Sequence, residues 1–246
     1  MKYGKVINEA GEALDYTYHS GAENNHYVLI IGHGLNENKD THLITELSQK
    51  VSEEGMSVLR FSFSGSGNSQ GQYGEYTISK GIEDLRAIIS AVCEQGGRPV
   101  YLGRGTGATV GTLLSAEDSR IQFLISIAGL VETKKFCFNI QNTEFASEDV
   151  SLENKIDVLS ENQEEDLKMI KSVYPQSQSI FVPWLLIHGL EDKLIPISDS
   201  ASLASNCEDI RYLVELPNVD HSFTGEVISQ VSELIIDWLG KRIQPS

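Results

Sequence analysis

Short apolar runs alternate along this chain with longer stretches in which apolar residues recur every three or four positions. The first run, residues 27–31, is closed by Gly32, His33 and Gly34. An unbroken apolar run of this length is typical of a strand that is buried on both faces. The stretches at the helical period predict amphipathic helices.

Strands and helices therefore alternate, which predicts an α/β fold with a mostly parallel central sheet and helices on both faces. Further strands are predicted at residues 57–61, 100–102, 121–127, 181–188 and 212–216, and helices at residues 43–51, 78–92, 106–115 and 227–238 and from about residue 198.

Two segments depart from this alternation. Residues 3–19 alternate weakly around a turn at residues 9–11, which predicts a hairpin. Residues 131–180 hold ten acidic and five basic residues and only a patchy helical period. We interpret this segment as a small helical cap inserted into a single domain that covers residues 1–246. The alternative is a solvated excursion between core elements.

Composition narrows the choice of partners and compartment. The 246 residues are enough for one large domain, and 35 acidic against 19 basic residues give a formal charge of -16. Such a surface repels phosphate backbones and anionic lipid, so we expect no nucleic-acid and no membrane partner. Cys93, Cys137 and Cys207 show no disulfide or zinc spacing, and residues 1–18 show no signal-peptide pattern. We therefore expect a cytoplasmic protein.

A glycine-dense turn follows the predicted strand at residues 100–102. Residues 103–107 read Gly-Arg-Gly-Thr-Gly, and a helix of small residues is predicted to follow. A strand, a sharp turn and a helix form the context of the nucleophile elbow G-x-S-x-G of serine hydrolases. The central position, Gly105, holds a glycine where that motif has its serine.

Three other loops that follow predicted strands carry residues suited to the same chemistry. Such loops meet at the carboxyl edge of a parallel sheet. The order of turn, acid and histidine is also the order found in α/β hydrolases. The residues are His33, Leu35 and Asn36 after the first strand, Asp192 after the strand that ends at His188, and Asp220 and His221 after the strand that ends at Leu216.

The chain resembles the α/β-hydrolase superfamily from about residue 27 to residue 239, and most of all its serine aminopeptidase-like and cinnamoyl-esterase-like branch. The motifs that carry the resemblance are His33-Gly34-Leu35, residues 59–69 (Leu-Arg-Phe-Ser-Phe-Ser-Gly-Ser-Gly-Asn-Ser), residues 187–192 (Ile-His-Gly-Leu-Glu-Asp) and residues 220–223 (Asp-His-Ser-Phe). The resemblance implies that Asp192 is the triad acid and His221 its base. It also implies that the N–H groups of Leu35 and Thr106 are the oxyanion-hole donors, and that Gly105 stands at the nucleophile position.

The missing serine has a chemical and a structural consequence. Deleting a serine nucleophile costs on the order of a million-fold in turnover, or about 8 kcal/mol of barrier. Glycine adopts the elbow backbone without the strain of about 1–3 kcal/mol that a residue with a β-carbon bears there. Ser62, where relatives carry an aspartate, and Arg104 also depart from the family pattern. These departures favour broad divergence of the site. Replacement of the serine alone in a working enzyme also stays open at this point.

Other residues are weaker candidates for chemistry. Ser64 and Ser66 lie on a different loop, and Cys93 falls within a helical pattern. The histidines lack the spacing of zinc sites, and the glycine-rich turn lacks the Lys-Ser/Thr ending of a phosphate loop. No partner motif for a dinucleotide fingerprint follows it. We expect no cofactor and no metal site.

Three functions stay open at this point. The first is a hydrolase scaffold without serine-dependent turnover that binds a small acyl or ester-like ligand. The second is an active hydrolase or lyase in which His221, oriented by Asp192, is the general base for water or a substrate C–H. The third is an interaction protein with a vestigial pocket, whose protein partner the sequence does not name.

Overall fold

A seven-stranded sheet forms the centre of the molecule in the computed structural model, which describes residues 2–142, 159–205 and 210–243. The strands are β1 (Val6–Ile7), β2 (Ala13–Leu14), β3 (Tyr16–His19), β4 (Tyr27–Gly32), β5 (Ser57–Phe61), β6 (Arg98–Arg104), β7 (Phe123–Ile127), β8 (Trp184–Gly189) and β9 (Arg211–Leu216). The helices are α1 (His42–Glu53), α2 (Ile78–Glu94), α3 (Thr106–Ser115), α4 (Thr133–Asn142), α5 (Glu161–Ile170), α6 (Tyr174–Ser177), α7 (Ile197–Ala204) and α8 (Glu226–Gly240), with a 3₁₀ turn at Tyr73–Glu75.

The order of strands across the sheet is β3-β5-β4-β6-β7-β8-β9. All neighbouring strands from β5 to β9 pair in parallel, and only β3 pairs antiparallel, with β5. β4 lies between β5 and β6, so that Ile30 is opposite both Leu59 and Tyr101. The predicted mostly parallel sheet with helices is confirmed.

Each face of the sheet is covered by helices and holds its own apolar core. Alternate residues of β4 point to opposite faces: Ile30 joins the core under α2 and α3, while Leu29 and Ile31 join the core under α1 and α8. Burial on both faces explains why this strand is an unbroken apolar run. None of the helices in the described part of the chain is long and apolar enough to cross a bilayer.

The beginning of the chain is more elaborate than the predicted hairpin. β1 and β2 do form a short antiparallel hairpin, and its turn is closed by the Asn8 N–H, which donates to the Glu12 carbonyl at 3.0 Å. The chain then continues into β3, which extends the main sheet at its edge. β8 begins at Trp184, three residues later than predicted, because Pro183 has no N–H to donate to the ladder.

Three helices, α4 to α6, occupy the described part of the predicted insertion at residues 131–180. Ser160 and Gln163 form a capping box at the start of α5, and α5 packs against α2 and the 3₁₀ turn. Residues 143–158 of the predicted cap lie outside the described residues.

Candidate active site

The predicted elbow is a tight connection between β6 and α3. β6 ends at Arg104 and α3 begins at Thr106, so that Gly105 alone lies between them. Gly105 has φ 51° and ψ -117°, outside the regions that residues with a β-carbon favour. Its N–H donates to the carbonyl of Ile127 on β7 at 3.0 Å, which holds the turn against the neighbouring strand.

The two outer glycines of the turn serve close backbone packing. A β-carbon on Gly103 would lie 2.4 Å from the Ala108 amide nitrogen. One on Gly107 would lie 2.4 Å from the His33 carbonyl oxygen. Both distances are far inside van der Waals contact, so α3 can approach β6 and the loop after β4 only because these residues have no side chain.

Gly105 has free space on the side where a side chain would project. A β-carbon there would lie 3.8 Å from the Gly34 α-carbon and 4.0 Å from His221 Nε2. Chain neighbours apart, no other heavy atom of the described residues lies within 4 Å of that position. A hydroxyl one bond beyond it can reach hydrogen-bond distance of Nε2, about 2.6–3.2 Å.

The loops after β8 and β9 bring the predicted acid and base together. His221 Nδ1 lies 2.8 Å from Asp192 Oδ2, while Asp192 Oδ1 accepts the N–H groups of Leu194 and Ile195 at 2.9 Å each. His188 Nε2 lies 3.4 Å from the same Oδ2 atom, so the acid has partners on both oxygens. This arrangement fixes the His221 ring with Nε2 toward Gly105.

Burial and charge set the protonation of this pair. Burial by itself raises the pKa of the Asp192 carboxyl, but hydrogen bonds from His188 and His221 outweigh it and hold that pKa well below its usual range. Burial lowers the pKa of His221, and the positive charge of Arg104 lowers it further. The hydrogen bond to Asp192 raises that pKa but does not outweigh the other two effects. The pair is therefore a carboxylate beside a neutral imidazole, whose Nε2 is available as a base.

Leu35 and Thr106, the two predicted oxyanion-hole residues, line the same small cavity. Leu35 lies in the loop after β4, and Thr106 is the first residue of α3, where N–H groups have no helical acceptor. Within the described ranges, neither N–H donates to another group of the protein. Both residues line a narrow cavity of about 10 Å³, which Leu159 and Leu167 close from the side of the insertion. That volume holds about one water molecule.

A buried ion pair, which the sequence reasoning missed, links the loops of the site. Arg104 Nη1 donates to Glu37 Oε1, and Glu37 Oε2 accepts the Gly34 N–H at 2.8 Å. Arg104 Nη2 donates to the His221 carbonyl at 2.7 Å. Burial lowers the pKa of Arg104 to about 10, still far above neutrality. The only sequence signal was the unusual arginine at the second position of the elbow.

The hydroxyls considered as rival nucleophiles lie in a different network. The Ser64 hydroxyl donates to Asp84 Oδ2 at 2.8 Å, and Ser66 is buried on the same loop. The Ser62 hydroxyl accepts the backbone N–H of Lys39 at 3.2 Å and so supports this loop. The structure therefore does not bring these serines to His221.

The cysteines give no competing centre. Cys93 lies on α2, Cys137 is buried on α4, and Cys207 lies outside the described residues. In the ranges that the structure covers, no three His, Cys, Asp or Glu side chains cluster in a way that could hold a metal ion.

The fold and this arrangement of loops define an α/β hydrolase. Residues 23–171, or 149 of the 246 residues, match the model of the family described as "Serine aminopeptidase, S33", and the chain belongs to this family. A search of curated proteins found no match.

Solved structures agree on the fold. Est1E from Butyrivibrio proteoclasticus with ferulic acid bound has a TM-score of 0.83 at 19% identity, covering 96% of this chain and 98% of that chain. A hydrolase from Agrobacterium vitis has a TM-score of 0.77 at 16% identity, and the match covers 94% of this chain and 95% of that chain. An esterase from Pyrococcus furiosus has a TM-score of 0.76 at 19% identity, and the match covers 96% of this chain and 90% of that chain. At these identities the likeness shows the fold alone, and it confirms the α/β-hydrolase fold that the motifs predict.

The different roles of the three glycines predict different costs of substitution. We expect Gly105→Ala to lower the free energy of unfolding by about 1–3 kcal/mol, because alanine is strained at this φ but its methyl group meets no close neighbour. Gly103→Ala and Gly107→Ala force a methyl group onto backbone atoms, and we expect each to cost more than about 4 kcal/mol. Urea unfolding measures all three, and equal costs would contradict this account of the turn.

The Arg104–Glu37 pair predicts a large effect of neutralising Glu37. Glu37→Gln leaves the buried Arg104 charge without its partner, and we expect the free energy of unfolding to fall by about 3 kcal/mol. Asp237→Asn is the matched control, since Asp237 and its partner Lys241 are 64% and 68% exposed. There the expected change is below about 1 kcal/mol. Similar changes in urea unfolding for both variants would refute the role assigned to the pair.

His33 predicts a loss of stability in mild acid. The residue is buried, its Nδ1 lies 2.7 Å from the Gly34 carbonyl oxygen, and its Nε2 accepts the Phe63 N–H at 3.0 Å. Burial lowers the pKa of His33 to about 4. Between about pH 6.5 and pH 4 the unfolded chain therefore binds a proton that the folded chain does not, so stability falls as pH falls, by about 3 kcal/mol. Urea unfolding across this range should show a shallower slope for His33→Gln, and an unchanged slope would contradict the assignment.

Proposed function

We propose that this chain is an α/β hydrolase that has lost serine-dependent hydrolysis and keeps a site for a small acyl or ester-like ligand. Its membership of a hydrolase family supports the scaffold. The pairing of Asp192 with His221, beside the free N–H groups of Leu35 and Thr106, supports the site. Gly105 supports the loss of the nucleophile.

One observation carries this proposal. Gly105 adopts the elbow backbone, φ 51° and ψ -117°, and its missing β-carbon would lie 4.0 Å from His221 Nε2. The position that would carry a nucleophile is therefore aimed at the base. Without a hydroxyl there, what remains is an oxyanion hole and an oriented ligand, which together give roughly a thousand-fold over water.

The chemistry of the free donors indicates the ligand class. Two free N–H groups beside one cavity suit an acyl carbonyl oxygen, and their hydrogen bonds strengthen as negative charge develops on that oxygen. The first turn of α3 adds its partial positive charge. The cavity beside these donors is lined by both apolar and polar side chains and has the volume of about one water molecule, which favours a small ligand. The ferulic acid found in the similar structure of Est1E is consistent with a small carbonyl-bearing ligand.

A second function is supported by the state of His221. Burial keeps its imidazole neutral, and Nε2 faces the space beside Gly105. A water molecule in that space would meet a base oriented by Asp192. Slow hydrolysis without a covalent intermediate follows from this geometry.

We expect Gly105→Ser to restore a serine hydrolase. The new hydroxyl would lie within reach of His221 Nε2, so the variant should react with a fluorophosphonate probe and hydrolyse phenyl acetate at least about a thousand-fold faster than the unmodified chain. Gel-based labelling and phenol release measure the two results. Gly105→Ala has the same β-carbon without the hydroxyl and should remain unlabelled.

Three outcomes separate the interpretations. Robust labelling of the unmodified chain would overturn the proposal. Slow ester hydrolysis by the unmodified chain that His221→Gln abolishes would instead support the general-base function. If Gly105→Ser is folded but neither labels nor hydrolyses, the site has decayed further and an interaction protein becomes the better interpretation.

A further inference from the structure

A cleft of about 370 Å³ lies at the amino edge of the sheet, between the ends of α1 and α8. Its lining includes the first residues of β4 and β6 and the last residue of α8. The candidate active site lies at the opposite, carboxyl edge. The seven residues of β6, from Arg98 at the cleft to Arg104 at the elbow, span roughly 20 Å. The cleft is therefore separate from the candidate active site.

The floor of the cleft is apolar and belongs to the core under α1 and α8. Val51, Met56 and Leu239 are buried in that core. Ile236 and Ile243 are partly buried, pack against the same core and complete the apolar lining. The volume is within the range of small-molecule pockets, about 300–1,000 Å³. The cleft can therefore bury the apolar part of a small ligand.

Arg98 places a positive charge at this cleft that no carboxylate neutralises. Its guanidinium carbon lies 4.5 Å from the centroid of the Tyr27 ring, and Nη2 donates to Gln122 Oε1 at 3.4 Å. Among the residues that the structure describes, no carboxylate oxygen lies within 4.0 Å of its guanidinium nitrogens. Other arginines of the chain do pair with carboxylates, namely Arg60, Arg86, Arg104 and Arg120. An anionic group of a ligand can take the place of that missing partner.

Glu54 places a negative charge at the same cleft. The residue is exposed and follows directly after the last residue of α1. No Lys, Arg or His nitrogen in residues 2–142, 159–205 and 210–243 lies within 4.0 Å of its carboxylate. The partial negative charge at the C-terminus of α1 adds to the charge of this carboxylate. This side of the cleft therefore favours a cationic group.

The two charges line one cleft but do not pair with each other. Arg98 is opposite Tyr27 in the ladder of β4 and β6. On the other side of β4, Val28 is opposite Ser57, which begins β5 shortly after Glu54. Two strand spacings therefore separate the backbones of the charged residues by roughly 10 Å. A ligand with one charge of each sign can contact both side chains, whereas an anion is repelled by Glu54 and a cation by Arg98.

We propose that this cleft binds an apolar α-amino acid. The carboxylate of the amino acid pairs with Arg98, and its ammonium group pairs with Glu54. Its side chain lies on the apolar floor formed by Val51, Met56 and Leu239. Such a ligand neutralises both charges and covers apolar surface at the same time. The site is independent of the acyl-ligand site proposed above.

Isothermal titration calorimetry of the unmodified chain with L-phenylalanine tests this proposal. We expect saturable binding of one molecule per chain. 3-Phenylpropionate lacks the ammonium group, and phenethylamine lacks the carboxylate. Each should bind about fivefold more weakly than L-phenylalanine, because each leaves one charge of the cleft without its partner.

Two variants assign the two ends of the ligand. Arg98→Gln should weaken the binding of L-phenylalanine about fivefold and should not weaken the binding of phenethylamine, which has no carboxylate. Glu54→Gln should weaken L-phenylalanine by a similar factor and should not weaken 3-phenylpropionate. Glu53→Gln and Lys135→Gln are the matched controls, because both residues are exposed and neither lines the cleft. Both controls should bind L-phenylalanine as the unmodified chain does.

Several results would overturn the inference. They are no saturable binding of L-phenylalanine up to its solubility limit, equal binding of the three compounds, and unchanged binding by Arg98→Gln and Glu54→Gln when circular dichroism shows both to be folded. Binding that His221→Gln abolishes would place the ligand in the candidate active site instead. Fluorophosphonate labelling of Gly105→Ser reports on the proposed function alone, so the two proposals can fail separately.

Discussion

The site depends on how closely the start of α3 approaches the end of β4. Gly107 lies against the carbonyls of Gly32 and His33, where even a methyl group would collide. This contact brings the first N–H of α3 beside the loop that carries Leu35. The same turn presents Gly105 to His221. The fold therefore requires the outer glycines of the turn but places no demand on a side chain at residue 105. A chain can lose the nucleophile and keep the architecture around it.

An ion pair between Arg104 and Glu37 stabilises the same arrangement. The chain carries a formal charge of -16, yet its elbow contains a buried arginine. Arg104 is stable there because Glu37 balances its charge and the His221 carbonyl accepts a second hydrogen bond. Glu37 in turn accepts the Gly34 N–H, next to Leu35. One ion pair thus fixes three loops, and its positive charge helps to keep His221 neutral.

The sequence predicts the fold because local patterns and chain topology agree. Apolar runs such as 27–31 mark strands that are buried on both faces, and a parallel sheet with right-handed crossovers then places their carboxyl ends along one edge. That geometry was enough to predict that the loops carrying Gly105, Asp192 and His221 lie at the same edge of the sheet. The hairpin predicted over residues 3–19 covers β3 but not its pairing with β5, because the alternation of this segment is weak and three of the four residues of β3 are only partly buried. No local rule would have found it.

Contacts between residues far apart in the chain, and the size of cavities, cannot be predicted from the sequence for a different reason. Arg104 and Glu37 are 67 positions apart, and no spacing pattern links an arginine in an elbow to a glutamate after another strand. The second contact of Asp192, with His188, depends on how one loop folds back on its own strand. The narrow cavity depends on how Leu159 and Leu167 of the insertion pack over Leu35, which only the assembled structure fixes.

The glycine at residue 105 is not explained by a gain in stability. Removing a β-carbon at φ 51° relieves about 1–3 kcal/mol of strain. Glycine also gives the unfolded chain more conformational freedom, which destabilises the fold by roughly 0.5–1 kcal/mol. The net benefit is small beside the loss of about 8 kcal/mol of transition-state stabilisation that follows from deleting a serine nucleophile. A site under selection for ester hydrolysis would not make that exchange. The Asp192–His221 hydrogen bond and the closely packed elbow therefore fit the proposed binding of a small acyl or ester-like ligand better than they fit ester hydrolysis.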